Sequence, residues 1–310
     1  MAVSVCSNVK KPVGRDADWF FYCSGRKLVL DLMLENWYSI LISLIPNMKM
    51  VMEMLAFNSD REMQDQTRTI IQQVSEVYRR HTEDWFIGLV VHGSAVKGGF
   101  IKGWSDIDFQ LYLEDQAFDK GHLPLTISAA IHRELSQINP NPYQYIQTRV
   151  FTPSHARYGR LVPDTYEIIS GKRLFPELTN EQLYIQAVAA LDEMKPDQAF
   201  DTENLLEHGD DRLLRSVRIF CTTVWPALYQ MLTIQTNNGI KVWGLTKAQA
   251  VEMVPRHSAI GHDIQQFYEA VLMYASNKSS VDQALNVIEA GIGFLQQVRC
   301  WQESREGAPK

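Results

Sequence analysis

Apolar positions follow two regimes along the chain. Between residues 58 and 178, short apolar runs of strand length alternate with stretches of helical period, and beyond Thr179 the pattern is almost wholly helical. From Asn58-Ser59-Asp60 onward, Met63, Ile70, Ile71, Val74, Val77 and Tyr78 recur on one face. That spacing predicts an amphipathic helix behind a capping asparagine or serine, with its apolar stripe laid on a sheet. Phe86-Ile87-Gly88-Leu89-Val90-Val91-His92 is apolar and of strand length, and Phe109-Gln110-Leu111-Tyr112-Leu113 alternates and is β-rich. A helix is expected at about 123–138, then the turn Asn139-Pro140-Asn141-Pro142, a strand from Tyr143 to Phe151, and a further strand near 162–169 closing at Gly171-Lys172-Arg173. Further helices are expected near 179–194, 203–235, 246–254, 259–276 and 281–302, broken at Lys195-Pro196-Asp197, Asn237-Asn238-Gly239, Pro255 and Asn277-Lys278-Ser279-Ser280. Pro226 removes a backbone donor and should kink or interrupt the long helix. The fold class this implies is α+β, with sheet and helices over 58–178 and an all-helical domain over 179–310.

The chemistry concentrates where the first strand ends. Gly93-Ser94 follows that strand directly, and Ser105-Asp106-Ile107-Asp108 leads into the second. A glycine there lets backbone amides and the Ser94 hydroxyl approach phosphate oxygens without a Cβ in the way. Residues 95–98 are expected to open a short helix whose N-terminus favours anions. Asp106 and Asp108, two apart on a strand, present both carboxylates to one face, a set of hard oxygen ligands suited to Mg²⁺. Lys97 or Lys102 would add positive charge for phosphates, against the plainer reading of a solvated loop lysine, and His92 reads as a packed strand histidine.

The stretch His92-Gly93-Ser94-Ala95-Val96-Lys97-Gly98-Gly99 with Trp104-Ser105-Asp106-Ile107-Asp108 resembles the nucleotidyltransferase superfamily that includes DNA polymerase β, and most of all the bacterial aminoglycoside adenylyltransferases. Arg218-Ile219-Phe220, Gly239-Ile240 and Leu245-Thr246-Lys247-Ala248-Gln249-Ala250 are similar to the helical substrate-binding domain of those enzymes. The resemblance implies a catalytic domain over 58–178, a small mixed sheet flanked by helices, followed by a helical substrate-binding domain over 179–310. Residues 1–57 read as an N-terminal extension of uncertain status. It also implies transfer of a nucleoside monophosphate, AMP from ATP, to a small-molecule hydroxyl with pyrophosphate leaving. Gly93, Ser94 and Lys97 would hold the nucleotide, and Asp106 and Asp108 would ligate metal, with two Mg²⁺ ions acting on the attacking and leaving oxygens. The family places a third carboxylate on a neighbouring strand. Here Tyr143-Gln144-Tyr145-Ile146-Gln147-Thr148-Arg149-Val150-Phe151 contains no acid, and Gln147, less readily Gln144, stands in that neighbourhood. A neutral amide can ligate a metal but is no general base, a role typically worth ~10² to 10⁴-fold in rate. Asp164 and Glu167 are the acids next along the chain.

Composition narrows the partners. The 310 residues are 45% hydrophobic and 21% charged, which suffices for a sizeable core. A net charge of -6 leaves no basic surplus to neutralise a nucleic-acid backbone, so a small acceptor is expected and nucleic acid is not. The acids Asp201, Glu203, Glu207, Asp210 and Asp211 read first as a solvated helix start and second as an acidic wall for an aminoglycoside-like polycation. Trp225, Tyr229 and Trp243 read first as core and second as a platform for a sugar ring. Cys6, Cys23, Cys221 and Cys300 are widely spaced and form no metal-knuckle or disulfide pattern, which suits a reducing cytoplasm. The apolar stretch 28–46 is interrupted by Asp31, Glu35 and Asn36 and is expected to be neither leader nor membrane span. Arg256 and His262 form a loose Arg-x5-His pair similar to that of helical ribonuclease toxins, a spacing expected by chance beside the break at Pro255. Two alternatives to the small-molecule enzyme stay open: a nucleotide-binding homologue of weak or no activity, and an antitoxin-like enzyme that modifies a protein or RNA.

Overall fold

The computed structural model of the chain describes residues 48–155, 160–209 and 211–306. The apolar stretch 28–46, Cys6, Cys23 and Asp210 lie outside the described residues. Contacts divide the chain after Glu62, and the architecture below is that of the unit Met63–Lys310.

Helix α1 (Met48–Thr82) is already running at Asn58 and Ser59, so these are interior positions and not its cap. No proline or glycine occurs between Met48 and Phe57 to stop it. From Met63 onward its expected stripe is buried: Ile70, Val74, Val77 and Tyr78 pack with Leu89, Val91, Phe109 and Leu111. The sheet has four strands, β1 (Phe86–His92), β2 (Ile107–Leu113), β3 (Ile146–Phe151) and β4 (Tyr166–Gly171), in the order β3-β2-β1-β4. β1 runs antiparallel to both β2 and β4, and β2 parallel to β3, so the sheet is mixed.

Both faces of the two central strands are covered, which is why they read as near-continuous apolar runs. Ile107, Phe109, Leu111 and Leu113 face α1, while Tyr112 packs on the other face with Ile87, Val90, Phe151 and Phe175. Each fully buried aliphatic side chain here is worth roughly 1.5–3 kcal/mol. Strand pleat then fixes Asp108 on the face opposite α1, with Tyr112. The edge strands differ from expectation at their starts. Tyr143 belongs to the preceding turn, donating its N–H to the Pro140 carbonyl (2.8 Å), and β3 begins at Ile146. Pro163 and Asp164, the latter at φ 62°, form a turn, so β4 begins at Tyr166.

Helices α2 (Ser94–Lys97) and α3 (Leu125–Leu135) complete this part. The remainder is helical: α4 (Asn180–Glu193), α5 (Arg212–Thr236), α6 (Gly239–Gly244), α7 (Lys247–Glu252), α8 (Ala259–Ser276) and α9 (Val281–Glu306). α4 and α7 open on full capping boxes, Thr179 with Gln182 and Thr246 with Gln249. The expected helix 203–235 starts at Arg212 instead. Residues 202–206 form a short 3-10 turn capped by Asp201, and Gly209 at φ 100° ends any helical continuation. α5 runs through Pro226 without interruption. The break expected at Asn237-Asn238-Gly239 is present, and α6 follows it where no helix was expected, because the Asn238 side chain accepts from the Lys241 N–H and caps it. A core of Phe220, Val224, Leu228, Phe267, Phe294 and Leu295 holds α5, α8 and α9 together. Among the described residues no helix is long and apolar enough to cross a membrane.

Candidate functional site

The site grows from a turn that only glycine can make. β1 ends at His92, and Gly93 takes φ 74° and ψ -139°, its N–H donating to the Thr165 carbonyl (2.9 Å). A Cβ on Gly93 would stand 3.4 Å from Oδ2 of Asp108, so the bare backbone lies against that carboxylate. Ser94 opens α2, which is a single turn of four residues. It supplies amide donors, but the macrodipole of a full helix is not available from one turn.

Asp106 stands just before β2 and Asp108 is its second residue, paired in register with His92 on β1 and Gln147 on β3. Both carboxylates border a cavity of about 360 Å³, together with Gly93, Ser94 and Lys97. The helices add two residues that the sequence placed in the helical domain but not in this site. Arg218 from α5 and Lys247 from the first turn of α7 border the same cavity. Arg218 forms an ion pair with Asp106 and donates to the Trp104 carbonyl (2.7 Å). Its guanidinium faces the rings of Trp104 (5.5 Å) and Tyr145 (4.9 Å).

The electrostatics follow from burial. Asp108 is pushed up to about 6, first by burial and then by the neighbouring Asp106. Lys97 falls to about 8 through burial and the charge of Lys247, and Lys247 is itself lowered by burial. Lys97 donates to the Trp243 carbonyl (2.8 Å) and lies 4.5 Å from the centroid of Tyr229. His92 is lowered to about 4, chiefly by burial and next by Arg149, and so is neutral at physiological pH. The cavity therefore gathers the cations Lys97, Arg218 and Lys247 around two acids in a chain whose net charge is -6.

A second cavity of about 550 Å³ shares Asp106, Arg218 and Thr222 with the first and is bordered also by Tyr145, Gln147 and Arg215. Gln147 thus lies beside Asp108 in strand register and accepts a hydrogen bond from the Tyr145 hydroxyl (3.2 Å). Of the other acids weighed, Asp164 is an exposed turn residue and Glu167 is exposed on β4, paired with Val91 across β1. Neither borders a cavity with Asp106 or Asp108. Glu207 pairs with Arg212 (2.7 Å) and Asp201 caps its own turn, so only Asp211 of the described acids near the start of α5 reaches the second cavity. Lys102 is exposed and outside the first cavity. Trp225, Tyr229 and Trp243 pack in or against the helical core, and all three also border the first cavity. Among the described residues the buried indole N–H of Trp225 has no hydrogen-bond partner. Arg256 and His262 are exposed, and His262 is engaged with Asp263 (3.0 Å).

Among the described residues no group of three or more His, Cys, Asp and Glu side chains is gathered in metal-binding fashion. Two carboxylates fit one hard divalent cation that arrives with substrate phosphates and keeps part of its water shell. They fall short of the three acids a pair of cations asks for.

No protein-family model matches the chain, and no curated protein does. Among solved structures, the crystal structure of spectinomycin adenyltransferase AAD(9) from Enterococcus faecialis with ATP and spectinomycin matches at a TM-score of 0.43 and 12% identity. The match covers 75% of this chain and 99% of that one. A likeness of that size carries no functional argument, and the chemistry stands on the site itself.

Proposed function

We propose that this chain is a nucleotidyltransferase of the DNA polymerase β type that moves a nucleoside monophosphate, AMP from ATP in the first instance, to a hydroxyl of a small molecule. The observation that carries the reading is one cavity in which a Cβ-free turn, two carboxylates and three cations converge. A triphosphate needs close backbone donors, positive charge and a shared divalent cation, and Gly93-Ser94, Lys97 with Lys247, and Asp106 with Asp108 are the residues offering each. Mg²⁺ held by Asp106 and Asp108 would neutralise phosphate charge there. Lys97 has two donors engaged by the protein, leaving a third for a phosphate oxygen. Trp225, Tyr229 and Trp243 add apolar surface to the lining, which lowers the local dielectric and strengthens each of these interactions.

The second cavity supports the acceptor half of the reaction, because it meets the first at Asp106 and Arg218. The acceptor oxygen bonds to the α-phosphorus, the α–β anhydride bond breaks, pyrophosphate leaves, and the acceptor proton is released. Asp106 borders both cavities and is the carboxylate placed nearest that transfer. An aminoglycoside-like acceptor leads the classes to assay. The acceptor cavity sets Arg215 and Arg218 against Asp106 and Asp211, so neutral sugar alcohols belong in the same panel as the cationic amino sugars. Free Cys221 and Cys300 suit a reducing cytoplasm, where ATP is supplied.

The test is pyrophosphate release from ATP with Mg²⁺ across that panel, with Asp106→Ala as the blank. Acceptor-dependent release lost in the blank is expected. Tight ATP binding without release for any acceptor would reject the small-molecule reading and leave the two alternatives, a weak or inactive homologue or an enzyme that modifies a protein or RNA partner.

A further inference from the structure

We infer that Arg218 takes the place of one of the two divalent cations, so that the site binds a single metal ion with its nucleotide. The inference rests on the nucleotidyl-transfer reading and deepens it.

Three observations on the acceptor side of the site converge. First, strand register puts Gln147 beside Asp108, where a third carboxylate would complete a second metal site, and this residue is neutral. Its amide oxygen already accepts from the Tyr145 hydroxyl at 3.2 Å. Second, the carboxylate that a second cation would share is already neutralised. Asp106 is paired with the Arg218 guanidinium, and the two side chains are only 20% and 16% exposed. Third, Arg218 is held from several directions. It donates to the Trp104 carbonyl at 2.7 Å and faces the rings of Trp104 and Tyr145. Trp104 is in turn anchored edge-on against Tyr274, with centroids 5.7 Å apart.

A guanidinium is always charged, planar and matched to carboxylate geometry, so it is a fixed cation rather than an exchangeable one. A metal entering between Asp106 and Gln147 would meet the Arg218 guanidinium already on the one and the Tyr145 hydroxyl already on the other. Asp211, the remaining acid of the acceptor cavity, stands just before α5, and among the described residues it does not gather with Asp106 and Asp108 into a metal-binding group. On the opposite side Asp108 lies against Gly93, next to Ser94, and that side remains open to one cation brought in with the phosphates.

The experiment counts Mn²⁺ bound to the full chain by electron paramagnetic resonance, at saturating α,β-methylene-ATP, which binds but cannot transfer. One protein-bound Mn²⁺ is expected for the wild type and for Gln147→Glu alone, since Arg218 still holds Asp106. Two are expected for the Arg218→Met/Gln147→Glu double variant. Two ions on the wild type would overturn the inference, and that count needs no variant to fold. One ion on a folded double variant would overturn it as well. Failure of the wild type to bind the nucleotide at all would reject nucleotidyl transfer itself, an outcome distinct from a wrong count.

Discussion

Asp106 and Asp108 are separated by one residue, yet their surroundings differ. Asp106 has a guanidinium partner, so Asp106→Asn strands a half-buried Arg218 and is expected to cost about 1–3 kcal/mol of stability. Asp108 has no such partner, and burial beside Asp106 lifts it to about 6. The folded chain therefore binds more protons at this group than the unfolded chain between the ordinary carboxylate value of 3.8 and about 6. Stability from this group is present at low pH and is lost as pH rises through that window. Asp108→Asn removes the penalty and is expected to raise the nucleotide-free melting temperature at pH 7 by a few degrees, about 1 kcal/mol, while abolishing transfer. Thermal unfolding of both variants checks this, and melting points that move in the same direction would contradict it. Gly93→Ala places a methyl near Asp108 at a φ of 74°, where only glycine is relaxed. A loss of ~1–3 kcal/mol in stability, together with loss of transfer, is expected, measured by denaturant unfolding and pyrophosphate release.

At the scale of elements, the turn after α2 and the start of α7 are fitted to each other. Gly99 is so close to Thr246 that a Cβ on it would come within 2.5 Å of the threonine Cβ. Thr246 caps α7, its hydroxyl accepting from the Gln249 N–H while the Gln249 side-chain oxygen accepts from the Thr246 N–H (2.9 Å). The next residue is Lys247, so the cap fixes where that ammonium enters the cavity. Gly99→Ala is expected to shift it and weaken ATP binding about tenfold, ~1.4 kcal/mol, measured by calorimetry. Unchanged affinity would mean that Lys247 does not serve the nucleotide. Periodicity made the helices and the two central strands legible, because each repeats an apolar pattern over a buried face. It failed where local chemistry overrides pattern: Asn238 capping α6, Gly209 stopping the acid-rich run before α5, and Asp164 in a turn where a strand was expected. The Gly93-Ser94 turn and the Asp106/Asp108 pair were visible because their members lie within sixteen residues of one another. The Arg218–Asp106 pair spans 112 residues, and although Arg218-Ile219-Phe220 reads as part of a substrate-binding helix, nothing in that run names Asp106 as its partner.

Across the whole molecule, the arrangement concentrates positive charge in a chain that is acidic overall, and it does so with lysines that burial has weakened. Lys97 sits at about 8 because it is desolvated and because Lys247 repels it. Its folded value is below the ordinary 10.5, so the unfolded chain binds more protons between about 8 and 10.5. Nucleotide-free stability from this group should therefore rise with pH across that window. A bound triphosphate reverses the balance, since its charge favours the ammonium over the neutral amine. ATP binding near pH 8.5 is thus expected to take up a proton, read as a dependence of the calorimetric heat on buffer ionisation enthalpy. Lys247, lowered by the same burial, adds to the uptake. Lys97→Met should lower the uptake and flatten the stability slope above pH 8. Binding heats identical in every buffer would show that the lysines are not where the triphosphate goes, and the assignment of this cavity to the nucleotide would fall with them.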